Sequence, residues 1–385
     1  MTDRYGVSRR RFMGGAAAAL GYLGLGPEAE LLAQTGAPAP VRASVDEYDR
    51  FAKLSFNENN YGPPESVLKA MTQAFKYANR YGYPDGGIVQ KIATLHGVQP
   101  GNILLGAGSG EILDAVGSTF LQGGKKVVGV EPSFSAVYEH ATGIKADTIL
   151  LPLTKDYHQD VAAIAAAAKT HAREVGFVYL CNPNNPTGVI VPKGDVRQLL
   201  DGLPEGMPIL IDEAYHHFVD TPDYATSVPY VLEGRPVIVA RTFSKIAALA
   251  GMRLGYAVAP KALIDRIRPW SMGSINAVVK WGGVAALEDT ASQAWVKKTT
   301  LDLRKKTTGE LEAFGYEVIP SQANFFMVHV KRQVQPVIEA FRAKGVLVGR
   351  PFPPMLQHLR VSVGTSDEMA RFVTAFKEIM GPGRA

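Results

Sequence analysis

The sequence predicts an α/β protein with a mainly parallel, doubly wound sheet and a smaller α+β domain. Short β-rich runs recur along the chain, and most of them lack an alternating polar face, which is typical of strands covered on both faces. Helix-forming segments such as the alanine-rich residues 161–172 separate these runs. Alternating strands and helices favour a parallel sheet. The runs are Ile103–Leu105, Val127–Val130, Thr148–Leu151, Gly176–Leu180, Pro208–Ile211, Val237–Ala240 and Leu254–Val258.

A change of pattern after Asn276 predicts the smaller domain. A long helical stretch runs to about Phe314, and Gly315 and Pro320 then break it before a new alternating strand at 325–330. We expect four segments: a targeting segment with its linker (1–40), an N-terminal arm that joins the small domain (41–70), a large domain (71–280), and the connecting helix with the small C-terminal domain (281–385).

Composition indicates a globular chain that is long enough for two domains. Of the 385 residues, 46% are hydrophobic and 20% are charged, so disorder is not expected. The net charge of +5 comes from 41 basic residues scattered among 36 acidic ones, which does not indicate a nucleic-acid-binding surface. Cys181 is the single cysteine, so an intrachain disulfide and a cysteine-based zinc site are excluded. We interpret His216 and His217 as surface or packing residues, and we predict no metal site.

The N-terminal residues resemble a twin-arginine export signal. Ser8-Arg9-Arg10-Arg11-Phe12-Met13 precedes an uncharged stretch from Gly14 to Gly26, and small residues follow near Ala33. The uncharged stretch is shorter than the roughly 20 residues that a transmembrane helix needs, so stable membrane insertion is not expected. The pattern predicts transport by the twin-arginine machinery to the periplasm or beyond. A flexible basic arm on a cytoplasmic protein is the alternative.

The segment between the last two runs combines a lysine with groups that bind phosphate. Lys245 follows Thr242 and Ser244, and Arg253 comes eight residues later. The two hydroxyls and the guanidinium fork form a plausible clamp for a monoester phosphate, while the lysine amine can hold a cofactor aldehyde. A lysine after a strand is by itself more often a solvated loop residue, so the prediction depends on the combination.

Thr242-Phe243-Ser244-Lys245, followed by Ala250-Gly251-Met252-Arg253-Leu254-Gly255-Tyr256, resembles the lysine segment of fold-type I enzymes that use pyridoxal 5'-phosphate (PLP). The resemblance is to histidinol-phosphate aminotransferases in particular, and it spans about residues 50–380. It implies a PLP-dependent transaminase in which Lys245 holds PLP as an aldimine and later removes the substrate's Cα proton. The implied reaction moves an amino group from a histidinol-phosphate-like or aromatic donor to a 2-oxo acid.

Two further segments resemble the same family in the same order. Residues 181–188, Cys-Asn-Pro-Asn-Asn-Pro-Thr-Gly, resemble the cofactor-facing loop, which assigns Asn185 to the ring hydroxyl oxygen of PLP. Asp212 ends a hydrophobic strand and would pair with the pyridine nitrogen, and Tyr215 would share the ring oxygen with Asn185. A tight turn, a helix N-cap and ordinary packing would also explain these residues one at a time. Their agreement with Lys245 favours the cofactor site.

The glycine-rich residues 106–111 follow a predicted strand and open a helix. The backbone N–H groups at such a helix N-terminus can hold a phosphate. The resemblance implies that Ser109 and Gly110 contact the phosphate of PLP, and we expect Glu111 to belong to the same cofactor-binding segment. A dinucleotide-binding fingerprint would require glycine where Glu111 stands, which disfavours a dehydrogenase. The resemblance also assigns Phe134 to stacking on the cofactor ring, although Phe134 could equally be part of the core.

Four further residues are assigned by the same resemblance. Tyr83 would reach the cofactor phosphate of a neighbouring subunit, which implies a homodimer, whereas a surface loop is the alternative. Arg360 would pair with the substrate carboxylate, and Asn57 would contact the substrate from an N-terminal lid. Arg350 lies near the position expected to bind a substrate phosphate, but the aromatic, proline-rich loop at 351–355 could shape a less polar pocket.

Two other functions remain open from the sequence. A decarboxylase or racemase on the same fold reaches the same carbanion by breaking a different bond. An exported PLP-binding protein without turnover is the second alternative. The presence of Lys245, Asp212 and Arg360 together favours an enzyme. A protein that only binds PLP has no need of a carboxylate that helps the cofactor ring to withdraw electrons from the substrate.

Overall fold

The structure is a computed structural model that describes residues 45–382, and these residues divide into two units. Of the first unit, residues 45–51 are described, and they contain helix α1 (Val45–Arg50). The targeting segment predicted at residues 1–40 lies outside the described residues. The second unit begins at Ala52 and contains the sheets and the candidate site.

Three sheets are found in the second unit. Seven strands form the largest sheet in the order β2-β8-β7-β6-β5-β3-β4, with parallel pairing from β7 through β4 and with β8 antiparallel to both β2 and β7. The prediction of a mainly parallel sheet is therefore confirmed. The strands are β1 (Ala52–Leu54), β2 (Ile103–Gly106), β3 (Lys126–Glu131), β4 (Asp147–Pro152), β5 (Val175–Cys181), β6 (Ile209–Asp212), β7 (Val237–Thr242), β8 (Gly255–Val258), β9 (Val318–Ile319), β10 (Phe325–His329), β11 (Val346–Val348) and β12 (His358–Ser362).

Helices connect the strands and cover both faces of the large sheet, so the sheet is doubly wound. Val178 and Leu180 of β5 belong to one hydrophobic cluster, and Phe177 and Tyr179 of the same strand belong to another. The helices are α2 (Glu65–Ala74), α3 (Ile88–His96), α4 (Ser109–Phe120), α5 (Ala136–Gly143), α6 (Val161–Thr170), α7 (Lys193–Gly202), α8 (Val228–Leu232), α9 (Lys261–Ile267), α10 (Ala277–Glu288), α11 (Thr290–Ala313), α12 (Val334–Ala343) and α13 (Ser366–Met380).

The C-terminal part of the chain, together with β1, builds the two smaller sheets. Strands β12, β10 and β9 pair antiparallel, and β1 pairs with β11 in parallel. The predicted strand at 325–330 exists as β10, but the expectation that it alternates between a buried and an exposed face is wrong, because Phe325 through Val328 are all buried. The predicted long helical stretch divides at Asp289, whose side chain accepts a hydrogen bond from the Ser292 N–H and so caps α11. The domain boundaries remain a prediction.

Within residues 45–382, no helix combines the length and the apolar character that a membrane span requires.

Candidate active site

Three neighbouring strands bring polar residues to one edge of the large sheet. Strands β5, β6 and β7 are parallel, so their carboxyl ends lie at the same edge. Asp212 is the last residue of β6, Thr242 is the last residue of β7, and Asn185 lies in the loop after β5. Open α/β sheets bind ligands at this edge. The edge is therefore the candidate site.

Lys245 lies three residues beyond β7, at this edge. Its Nζ donates a hydrogen bond of 3.0 Å to the Phe56 carbonyl and lies 5.6 Å from the centre of the Tyr215 ring. Burial lowers the pKa of Lys245 to about 8, and the positive charge of Arg360 acts in the same direction. Arg253 also lowers this pKa, but it contributes less than Arg360. The Lys245 amine therefore loses its proton closer to neutral pH than an exposed lysine does.

Asp212 is buried, and its carboxylate has few partners. One oxygen accepts from the Ala214 N–H at 3.1 Å, and the other is 3.5 Å from the Tyr179 hydroxyl. Burial raises the pKa of Asp212 to about 6, although the Ala214 N–H, the Tyr179 hydroxyl and the charge of Lys245 oppose the rise. A cation beside this carboxylate would stabilise its charged form.

The loop after β5 uses two of its three asparagines to hold its own shape. The Asn182 side chain exchanges hydrogen bonds of 3.0 Å with the backbone of Val191, and the Asn184 side chain donates to the Pro132 carbonyl at 3.1 Å. Asn185 is also buried, but its Oδ1 accepts a 2.7 Å hydrogen bond from Nη1 of Arg360 instead. Asn185 is thus the asparagine of this loop that faces the site.

Arg360 lies in the middle of β12 and is buried. Beyond its bond to Asn185, it donates to the Ser55 carbonyl, and its guanidinium lies 4.5 Å from the centre of the Phe352 ring. Its Nε is buried and has no hydrogen-bond partner among the described residues. Burial lowers the pKa of Arg360 to about 10, while Tyr215 opposes this shift and Arg350 adds to it. The guanidinium remains charged at neutral pH.

A short chain of hydrogen bonds leads from β12 to Tyr215. The Ser362 hydroxyl donates to Oδ1 of Asn57 at 2.9 Å, and Nδ2 of Asn57 donates to the Tyr215 hydroxyl at 3.1 Å. The Asn57 N–H also donates to the Ser362 hydroxyl at 2.8 Å. Because the Tyr215 oxygen already accepts from Asn57, its proton is free to point elsewhere. Burial raises the pKa of Tyr215, so the phenol stays protonated.

A second cluster lies where β2 ends and α4 begins. Nη1 of Arg253 is 3.4 Å from the Ser244 hydroxyl, and the Thr242 hydroxyl donates to Ser244 at 2.8 Å. Ser109 and Gly110 open α4, whose first N–H groups have no partners within the helix. Gly108 has a positive φ of 81°, and a Cβ there would collide with the Arg253 guanidinium, so only glycine allows this close approach. Free N–H groups, hydroxyls and a cation together can hold a phosphate.

The remaining predicted site residues have the following positions. Phe134 follows β3 and leaves 37% of its surface exposed, so it is not a core residue. The Tyr83 hydroxyl donates to the Ile275 carbonyl at 2.6 Å. Arg350 donates to the Pro351 carbonyl and lies 4.5 Å from the centre of the Phe352 ring.

His216 and His217 follow Tyr215 and are half-buried. Their rings lie 3.7 Å apart, and burial lowers the pKa of both imidazoles, that of His217 to about 3. Both stay neutral, as packing residues would. Among the described residues, no group of three or more His, Cys, Asp or Glu side chains could hold a metal ion.

Sequence reasoning missed Ser362 and Ser55, which join the site through Asn57 and Arg360. A signal for Ser362 was present, because residues two apart on a strand point to the same face, and Arg360 had been singled out. Ser55 contributes a backbone carbonyl, and no side-chain pattern indicates such a contact.

Comparison with known proteins identifies the family. Residues 50–376 match the family described as aminotransferase class I and II. The chain is 34% identical over 335 residues to a histidinol-phosphate aminotransferase from Moorella thermoacetica, covering 85% of each chain, and 35% identical to one from Maricaulis maris, covering 85% of this chain and 91% of that one. The chain therefore belongs to the class I and II aminotransferase family.

A solved structure resembles the chain at the level of the fold and the sequence. The histidinol-phosphate aminotransferase from Sinorhizobium meliloti, determined in complex with PLP, superposes with a TM-score of 0.79 at 25% identity. The match covers 89% of this chain and 95% of that one.

Proposed function

We propose that this PLP-dependent aminotransferase takes the amino group from a histidinol-phosphate-like or aromatic donor and passes it to a 2-oxo acid, with Lys245 as the residue that holds PLP. The enzyme class and the cofactor follow from the family. The observation that carries the residue assignment is the convergence of Lys245, Asp212 and Asn185 at one edge of the large sheet with Arg360 of β12. Hydrogen bonds and charge interactions connect these residues across two strands and two loops.

The residues fit PLP on structural grounds. The pKa of Asp212 is raised because its buried carboxylate lacks a full cationic partner, and a protonated pyridine nitrogen would supply one. The partly exposed aromatic side chain of Phe134 offers a surface on which another aromatic ring can stack. At the other end, Arg253, Ser244 and the start of α4 supply the donors that a phosphate requires. When bound, PLP supplies an aldehyde that binds the substrate's amino group and a ring that withdraws electrons from the Cα–H bond.

Asn185, Tyr215 and Asp212 would hold the cofactor ring in place. The Tyr215 hydroxyl accepts from Asn57 and so has its own proton available for the ring hydroxyl oxygen. The Asn185 side chain can donate from its amide nitrogen while its oxygen accepts from Arg360. An ionised Asp212 would keep a proton on the ring nitrogen.

Lys245 moves the proton in the proposed reaction. After the substrate's amine has displaced it, the Lys245 Nζ is a free amine whose pKa of about 8 makes it an effective base near neutral pH. It would take the proton from the substrate's Cα and deliver it to the carbon on the other side of the substrate's nitrogen. Burial and the charge of Arg360 tune the amine for this role.

Arg360 would bind the carboxylate of a substrate acid. A guanidinium fork pairs with a carboxylate through two parallel hydrogen bonds, and the unpartnered Nε of Arg360 is a donor that such a group could use. Phe352 lies against both Arg360 and Arg350, so its ring forms an aromatic wall beside these arginines. An aromatic or imidazole side chain suits that wall, and Arg350 suits a phosphate.

The test is a donor screen with the purified protein. Histidinol phosphate and aromatic amino acids are incubated with 2-oxoglutarate, and glutamate and the oxo product are measured. We expect turnover for at least one of these donors and complete loss in Lys245→Ala, with full activity in Lys261→Ala, whose lysine pairs with Asp265 on the surface. Release of carbon dioxide without glutamate would identify a decarboxylase. Bound PLP without turnover of any donor would identify a non-catalytic protein.

We also propose that the enzyme is a homodimer in which Tyr83 reaches the cofactor phosphate of the partner. The support is an unusual surface near Tyr83, where Tyr81 is fully exposed and Met272 is 82% exposed. Large exposed apolar side chains are typical of interfaces. Sedimentation should give the mass of a dimer. A monomer that binds PLP would contradict the proposal.

A further proposal concerns the compartment. The arginine pair at Arg9 and Arg10, followed by the uncharged stretch, supports export through the twin-arginine machinery to the periplasm. Cell fractionation should find the enzyme outside the cytoplasm, and replacing both arginines with lysine should retain it inside. If the wild type and the lysine variant showed the same distribution between the cytoplasm and the exported fraction, export by this route would be contradicted.

A further inference from the structure

Charged side chains hold both backbone polar groups of Ala107. Its N–H donates a 2.6 Å hydrogen bond to Oε2 of Glu111, and its carbonyl accepts from Nη2 of Arg253 at 3.1 Å. Ala107 lies in the loop between β2 and α4, directly before the glycine and serine that open the helix. The position of this loop therefore depends on an acid, Glu111, and a base, Arg253, which bind the N–H and the carbonyl of the same residue.

Glu111 also binds a second segment of the chain. Its Oε1 accepts from the Ser271 hydroxyl at 2.6 Å and from the Met272 N–H at 2.7 Å. With the Ala107 N–H, three donors satisfy this carboxylate. The Glu111 side chain could contact a phosphate directly only by giving up some of these bonds.

The loop that Glu111 holds has little room to move. A Cβ on Gly108 would overlap the Arg253 guanidinium, and a Cβ on Gly255 would lie 2.4 Å from the Ser109 nitrogen. This close packing leaves little freedom for the N–H groups of the loop to change direction. The side chains of Glu111 and Arg253 fix the loop through the backbone of Ala107. Charge-assisted bonds are the stronger kind of hydrogen bond.

We propose that Glu111 is a positioning residue, which aims the N–H groups at the start of α4 toward the cofactor phosphate by bridging the Ala107 peptide to the segment Ser271–Ile275. The proposal rests on the proposed function, because it assumes that PLP places its phosphate at this helix. It gives the Glu111 side chain an indirect role within the cofactor-binding segment expected from the sequence.

The bridge also connects the phosphate loop to Tyr83. Ile275, at the end of the segment that Glu111 holds, accepts the hydrogen bond from the Tyr83 hydroxyl. Met272 and Trp270, which flank Ser271, are exposed. A structural change at this surface can therefore be transmitted to the loop between β2 and α4 through the carboxylate of Glu111.

The test compares two ligands that differ only in the phosphate. PLP and pyridoxal are titrated into the cofactor-depleted full-length protein, and the dissociation constant of each is measured by absorbance or by quenching of tryptophan fluorescence. In Glu111→Gln, an amide replaces one acceptor oxygen and cannot satisfy all three donors. We expect PLP to bind about 10-fold more weakly or worse, because the loop loses a hydrogen bond to a charged group, and such bonds are typically of that strength. Pyridoxal affinity should stay within about 2-fold, because its binding does not use the phosphate loop.

Ser271→Ala and Glu139→Gln complete the experiment. Ser271→Ala removes one donor and leaves the Ala107 bond, so we expect a smaller loss of PLP affinity in the same direction, and it tests the bridge if Glu111→Gln does not fold. Glu139 is an exposed acid that accepts from Ser135 within its own helical turn, so Glu139→Gln should bind PLP normally. Equal loss of both ligands in the Glu111 and Ser271 variants, or no loss, would overturn the proposal. Failure of the unaltered protein to bind PLP would instead refute the proposed function.

Discussion

Arg360 donates a 2.7 Å hydrogen bond to the side-chain oxygen of Asn185. The residue proposed to bind the substrate carboxylate thus touches the residue proposed to face the cofactor ring, although the two lie 175 positions apart in the sequence. Arg360 is also the charge that most strongly lowers the pKa of Lys245. The guanidinium of Arg360 therefore contributes to substrate binding, to cofactor orientation and to proton transfer.

We expect Arg360→Lys to lower kcat/KM by about 100-fold or more. An ammonium group keeps the charge but cannot bridge Asn185, the Ser55 carbonyl and a carboxylate with the geometry of a planar fork, and losses of about 3 kcal/mol are usual for such paired contacts. Steady-state kinetics with the best donor and 2-oxoglutarate provide the measurement. Arg197→Lys is the matched control, since Arg197 pairs with Glu233 on the surface. Near-normal kcat/KM in Arg360→Lys would argue against its role.

The pH dependence of proton removal should reflect Lys245. Only the neutral amine can take the Cα proton, so the rate should rise with pH up to about 8, where the lowered pKa of Lys245 lies, and then level off. Glu58 opposes the lowering of this pKa, so Glu58→Gln should move the rise to lower pH. Exchange of the Cα proton for solvent deuterium measures the step directly. A rise that moves to higher pH in Glu58→Gln would contradict the account.

Asp212 should destabilise the cofactor-free protein at neutral pH. Burial raises its folded pKa to about 6, so its contribution to stability is greatest below the unfolded value near pH 4 and is lost as the pH rises through 6. The neutral side chain of Asp212→Asn does not titrate. As the pH rises from 4 to 7.5, we expect the free energy of unfolding of the variant to increase by about 3 kcal/mol relative to that of the wild type. Urea unfolding without PLP measures this difference. A stability difference that does not change with pH would show that the carboxyl is not shifted.

A buried ion pair next to Asp212 should be important for stability. Nη2 of Arg241 lies 2.8 Å from Oε2 of Glu213, and both side chains are almost completely buried. Arg241→Met leaves an uncompensated charge at Glu213, so we expect a loss of about 3–5 kcal/mol in the free energy of unfolding. Lys298→Met breaks an exposed pair with Asp302 and should cost less than about 1 kcal/mol. Similar losses in the two variants would contradict this distinction.

The large sheet was predictable because its strands are short apolar runs between helix formers. The seven predicted runs all correspond to strands, and Asp212 ends its strand, as the sequence predicted, at the edge where the parallel pairing also places Thr242. Local patterns suffice here, since burial on both faces leaves a clear composition signal.

The contacts between distant segments were not predictable. No periodicity in the sequence indicates that Asn57 accepts a hydrogen bond from the Ser362 hydroxyl or that Asn185 accepts one from Arg360. Such pairs depend on how separate elements pack. The capping role of Asp289 was also missed, since the helical pattern continues on both sides of it. The engagement of the Glu111 carboxylate with Ser271 depends on a loop 160 residues away.

The most direct test of the account is to locate the residue that holds PLP. The purified protein is treated with borohydride, which fixes the cofactor to the amine that carries it, and the digested peptides are then analysed by mass spectrometry. The account predicts a phosphopyridoxyl group on the peptide that contains Lys245. A modification of another lysine, or an unmodified Lys245 in protein that contains PLP, would contradict it.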